Sequence, residues 1–130
     1  MLNRPGIKKE TLAAPQQILF NVQNQMSVSI LVDKSMASVS VDGRKVVKAG
    51  TPLSGDLTAR GTAFKAAADS TAPAVGVLLH DVDITDTNAN GTLLIWGFVN
   101  LDRLDSATAA LITATRKPEL AGRIWFLKDN

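Results

Sequence analysis

Asp42-Gly43 stands between two short runs of alternating valine, Val39-Ser40-Val41 on one side and Arg44 to Val47 on the other. An Asp-Gly pair in that setting is a strong signal for a tight β-hairpin, because both central turn positions need positive φ. The same period of two runs through Val28, Ile30 and Val32 just before it, and through Ile18, Phe20 and Val22 before that. A chain patterned this way over its first half must fold into sheet.

The second half carries two further apolar runs. Ala74 to Val82 is rich in β-branched and aliphatic residues and is expected to form a buried central strand, with Gly76 marking close backbone approach or a bulge. Thr92 to Val99 is expected to be a second long strand, with Gly97 as a bulge position, and Asn90-Gly91 before it reads as a hairpin turn. Between the halves, Gly50, Pro52 and Ser54-Gly55-Asp56 mark loops. Thr58 to Ala72 reads as a long loop with a little helix near Ala63 to Ala68, holding one large apolar side chain, Phe64.

One helix is expected, over about residues 102–116. Leu101, Leu104, Thr108, Leu111, Ile112 and Thr115 recur at spacings of three and four. Asp102 is the expected N-cap, Arg116 and Lys117 suit the C-terminus, and Pro118 forbids continuation. Arg123 to Leu127 is expected as a last strand. Strands before and after a single helix give a mainly β (α+β) class: a compact β domain at 18–130, one packed helix, and an N-terminal arm at 1–17. Pro5-Gly6 and Pro15 break regular structure in the arm, and only Leu2, Ile7 and Leu12 could anchor it.

Composition limits the chemistry. Without cysteine there is no disulfide, zinc-thiolate site or thiol nucleophile. A net charge of +2 with scattered basic residues argues against nucleic acid as partner. No apolar run approaches the ~20 residues of a membrane helix. No apolar segment precedes Pro15 as a secretory signal would, so synthesis in the cytoplasm is expected.

The polar constellations point to local structure. His80, Asp81 and Asp83 are the only candidates for acid–base work, yet on a strand His80 faces away from both aspartates. Asp86-Thr87-Asn88-Ala89-Asn90-Gly91 matches the first half of a calcium loop, but Gly97 stands where the bidentate glutamate belongs. No catalytic residue, metal ligand or cofactor site is expected. The aromatics Phe20, Phe64, Trp96, Phe98, Trp125 and Phe126 fall mostly in strands, where core packing is the default; the other option for Trp96 and Trp125 is to stack across adjacent strands or to face a neighbouring subunit.

Three segments taken in order resemble tailed-phage head decoration and head-fibre proteins: Val46 to Leu53, Ala74 to Asp83, and Asn90 to Leu101. The resemblance spans roughly Val41 to Ile112. It implies a non-enzymatic structural protein on the outer surface of the virion, whose partner is the major capsid protein and which self-associates, a trimer being favoured. It also implies that the arm pairs with capsid strands, which would give Arg4, Ile7, Lys8, Lys9 and Leu12 the capsid-binding role. The chain has no evident fibrous shaft, so decoration suits it better than fibre. The alternative is a small β module that recognises carbohydrate or a host surface through an exposed tryptophan.

Overall fold

The computed structural model describes residues 18–19, 25–36, 38–69 and 72–128. Phe20, Val22 and the whole arm, including Arg4, Ile7, Lys8, Lys9 and Leu12, lie outside them.

The chain is mainly β, as its alternation requires. Nine strands occur among the described residues: β1 (Met26–Val32), β2 (Val39–Val41), β3 (Arg44–Val47), β4 (Pro52–Ser54), β5 (Lys65–Ala66), β6 (Gly76–Leu78), β7 (Val82–Asp83), β8 (Ala89–Asn100) and β9 (Ile124–Leu127). One sheet runs β1-β8-β6-β4-β5, with β9 also paired to β8. The other runs β2-β3-β7. Pairing is antiparallel except between β8 and β9, which run parallel.

The hairpin forms where Asp42-Gly43 places it. Val41 pairs with Arg44, and the two turn residues hold φ of 51° and 79°. Strand β8 organises the rest. Its neighbours Leu93 and Leu94 point to opposite faces, and both are fully buried. Leu94 joins Val77, Val99, Ile18, Leu120 and Ile124 in one cluster. Leu93 joins Phe64, Leu53, Leu78 and Val32 in a second, to which the three-stranded sheet contributes Val47 and Val82. The central strand is therefore buried on both sides at Leu93 and Leu94.

Gly76 is where close approach was expected. A Cβ there would lie 2.4 Å from the carbonyl oxygen of Leu94 on the neighbouring strand.

Three local expectations are corrected. First, the run Ala74 to Val82 does not form one strand. It divides into β6 and β7, which belong to different sheets. Asp81 accepts hydrogen bonds from the Ala49 backbone N–H (2.8 Å) and Lys48 Nζ (3.0 Å), and these hold the chain in the bend between the two sheets. Second, Asn90-Gly91 is no turn; both residues lie inside β8, opposite Leu31 and Ile30. Gly91 serves packing instead, since a Cβ there would come within 3.0 Å of the Val32 and Val82 methyls.

Third, the helix expected over 102–116 is broken. A 3-10 turn at Leu101–Arg103 precedes two short helices, α1 (Ser106–Ala109) and α2 (Arg116–Leu120). The backbone turns extended at Leu104, ending the 3-10 turn, and the Thr113 side chain competes with helical bonding at the second break. Asn100 Oδ1 accepts from the Asp102 N–H, so Asn100 rather than Asp102 is the first cap. Thr113 Oγ1 accepts from the N–H groups of Thr115 and Arg116. Arg116 and Lys117 thus open a helix instead of closing one, and Pro118 fits its first turn. The apolar stripe survives in part: Leu104, Thr108 and Ile112 are buried, while Leu111 and Thr115 are exposed. The alanine-rich loop is also more ordered than expected. Phe64 bridges Val32, β5 follows, and the helical turn sits at Ala67–Asp69.

Candidate functional site

The second half of β8 behaves differently from the first. The register with β1 shifts between Met26 and Ser27, which pair with Trp96 and Leu94, leaving Ile95 as an extra residue. Such a bulge re-aims the side chains beyond it. Val99 still reaches the cluster that holds Leu94, so Trp96 and Phe98 point to the other face, the one Leu93 occupies further back. There the described three-stranded sheet no longer covers them.

Strand β9 completes the face. Its register sets Trp125 beside Phe98, and Leu127 follows two residues later on the same side. The Phe98 and Trp125 rings stack at 5.1 Å and 25°. Trp96 stands edge-on to Trp125 at 5.9 Å and 89°. Met26 lies directly opposite Trp96. Trp96 and Trp125 are 40% and 38% exposed, Leu127 37% and Met26 59%. An exposed apolar cluster of this kind is a candidate contact surface.

The default of core packing fails for both tryptophans, which are exposed, while the other option, that they meet across adjacent strands, holds. Alternation along Trp96–Phe98 and Trp125–Leu127 carried that signal. Met26 had none, and the bulge, expected at Gly97, falls at Ile95 instead. Two indoles this close and nearly perpendicular couple electronically. Replacing Trp125 by Phe is therefore expected to remove a paired-indole feature from the circular dichroism spectrum while leaving the melting temperature within a few degrees. A spectrum unchanged by the substitution would mean the rings do not meet in solution.

The polar candidates are placed elsewhere, each in a local role. His80 is exposed in the bend. Asp81 holds Lys48 and Ala49, and Lys48 Nζ lies 3.7 Å from Asp105 at the start of α1. The Asp81 hydrogen bond raises the Lys48 pKa. Asp83 accepts from Arg44 Nε and from the Thr85 hydroxyl (2.6 Å) and N–H (2.9 Å). Those bonds, the Arg44 one first, hold its carboxyl down at about 2. The three residues do not converge on one point. In the Asx-rich loop, Asn88 accepts from the Lys34 N–H, Asp86 lies 3.7 Å from Arg44, and Asn90 is taken into β8.

Asp83 gives a signed pH prediction. Its folded pKa is depressed, so its contribution is present above the ordinary value of 3.8 and lost as pH falls towards about 2. The exposed pair makes the effect small. Asp83→Asn is expected to flatten the acid limb of stability in that window, read by chemical denaturation at stepped pH. An unchanged limb would mean Asp83 is equally depressed in the unfolded chain.

A second feature had no sequence signal. A groove of about 260 Å³ lies between the hairpin, β4 and α1, walled by Val39, Val46, Val47, Pro52, Ala66 and Leu111. Lys48 and Arg116 also line it, and they are engaged by Asp81 and Glu119.

No protein-family model matches the chain, and a search of curated proteins finds no match either.

Proposed function

We propose that this chain is a structural virion protein that binds the outer surface of a tailed-phage capsid and stabilises or decorates the head. The observation that carries the reading is the aromatic face on two paired strands of a well-packed β scaffold, with Trp96 and Trp125 exposed and Phe98 half-buried beside them. A rigid face loses little side-chain entropy when it is covered. On a lattice, many copies turn modest contacts into firm attachment. The three segments that resemble decoration proteins hold β6, β7, nearly all of β8 and parts of β3 and β4, while β1 and β9, which carries Trp125, lie outside them. The partner in this reading is the major capsid protein, with self-association into a trimer.

Exposure of both tryptophans also favours the rival reading, a carbohydrate-binding module. Ring geometry weighs against it. A sugar stacks on an open, flat aromatic face, whereas here Phe98 and Trp125 cover each other and Trp96 stands perpendicular to Trp125. The cluster forms a knob better suited to a protein surface.

Electron cryo-microscopy of cognate phage heads mixed with the purified chain tests the proposal, alongside its light-scattering mass. Ordered density at capsomer centres or local threefold positions is expected. A native virion shell that lacks the protein would end the decoration reading and promote the carbohydrate one.

A further inference from the structure

Strand β2 is an outer strand of the three-stranded sheet, and all three of its residues are exposed. Val39 and Val41 alternate with Ser40, so both valines lie on one face of the hairpin. Each is 42% exposed. Val46 lies directly opposite Val39 on that face, and the two help wall the groove they share with Leu111.

The turn fixes which backbone groups point outward. Val41 pairs with Arg44 across the two-residue turn, and such a flanking pair exchanges both backbone hydrogen bonds. Bonded and non-bonded pairs alternate along an antiparallel ladder. Val39 therefore bonds Val46, and the N–H and C=O of Ser40 face away from β3. Among the described residues, nothing bonds these two groups. The strand has no proline, no lysine and no bulge, the devices that commonly guard an edge.

The strand also complements itself. About Ser40, Val39 on one side mirrors Val41 on the other. An antiparallel copy centred there sets Ser40 against Ser40, where the two exchange both N–H···O=C bonds. Each Val39 then lies beside the Val41 of the other copy, a β-branched cross-strand pair on the apolar face. That Val41 extends the wall of the groove. Asp42, the charge that adjoins the strand, falls opposite Ser38, whose hydroxyl can donate to it.

We infer that β2 is a contact between copies of this chain. Two hairpins join edge to edge about a twofold axis at Ser40 and merge their three-stranded sheets into one. The occupant is a second copy because the side-chain pattern, the outward backbone groups and the polar end all match under that axis. A three-residue strand covers far less than the roughly 1,200 Å² of a standard interface, so the contact is weak in solution and gains strength where copies are crowded. It does not rest on the decoration reading. A trimer built through another surface would be linked to its neighbours by it.

The chain has no cysteine, so single introduced thiols report on the contact directly. Opposed residues of a bonded pair have Cα atoms about 5.5 Å apart, within disulfide reach, whereas diagonal residues lie about 7–8 Å apart. Ser40→Cys is expected to form a disulfide-linked dimer under air oxidation at least tenfold faster than Ala59→Cys, an exposed loop control. Val39→Cys and Val41→Cys are each expected to link slowly alone and to link to one another when mixed. Ser40→Pro removes only an outward N–H. It is expected to melt within a few degrees of wild type, while the rise of scattered mass with concentration seen for wild type disappears.

Ser40→Cys that links no faster than Ala59→Cys would overturn the inference. So would Val39→Cys and Val41→Cys that link as fast alone as when mixed, since the axis would not then pass through Ser40. A mass rise that survives Ser40→Pro would move the contact to another surface, the aromatic face first, and overturn it too. Loss of the fold in Ser40→Pro would mean that its N–H is bonded to β3, which removes the edge the inference needs.

Discussion

Phe64→Ala is expected to lower the free energy of unfolding by about 3–5 kcal/mol, the usual loss when a fully buried phenylalanine is truncated. Phe64 has no exposed surface and sits in the cluster with Val32, Leu53, Leu78 and Leu93. It is also the one large apolar side chain in the Thr58 to Ala72 segment, so no neighbour can fill the cavity by a small shift. Its backbone ties that segment to β1: the Phe64 N–H donates to the Leu31 carbonyl (2.7 Å), and the Asp33 N–H donates to the Phe64 carbonyl (3.0 Å). Gly55 makes room for the ring, since a Cβ at that position would lie 2.5 Å from it. Domains of this size are stable by only about 5–15 kcal/mol, so the loss is a large share of the whole. Urea unfolding monitored by circular dichroism would measure it, as a lower midpoint at nearly unchanged slope. A loss below about 1 kcal/mol would mean that the segment repacks freely and that Phe64 does not anchor it.

What could be read in advance follows a physical division. The hairpin was legible because Asp42-Gly43 sets its geometry within four residues, and no distant contact is needed. Thr92 to Val99 was legible because a short continuous apolar run rich in aromatic and aliphatic residues suits a buried strand. Asn90-Gly91 was misread because a turn glycine and a packing glycine look alike locally. Only the methyls of Val32 and Val82, far away in sequence, decide between them. Ala74 to Val82 was misread for the same kind of reason. Its composition suits one buried strand, but Asp81 bends it through bonds to Lys48 and Ala49. The helix failed differently. A count of apolar spacings cannot weigh the Thr113 side chain against the helical ladder, nor foresee the extended backbone at Leu104.

The candidate site divides along the same line. That Trp96 and Phe98 share a face is written in their spacing. That they stay uncovered depends on the bulge opposite Met26 and on how far the second sheet extends. Both are tertiary facts.

Gly76→Val is expected to be the other severe substitution, and it joins the core to the aromatic face. The Cβ would meet the Leu94 carbonyl oxygen at 2.4 Å and the Leu93 side chain at 2.9 Å. A flexible side chain can move aside, but a carbonyl held in a ladder cannot. Strand β6 would have to separate from β8, at Val77↔Leu94 and Leu78↔Leu93, or from β4, at Leu53↔Gly76. Overpacking a close-packed core costs typically 1–3 kcal/mol and more when backbone must shift, so a loss of about 3 kcal/mol is expected. Gly76→Ala is expected to lose less, but still more than 1 kcal/mol. The readout extends beyond stability. Strand β8 carries Trp96 two residues after Leu94, so a displaced β8 should alter the paired-indole dichroism of Trp96 and Trp125 even in molecules that remain folded. A large loss of stability with the indole signal intact would place the strain in β4 and β6 alone. Loss of both would mean that one strand supports the core and sets the geometry of the face.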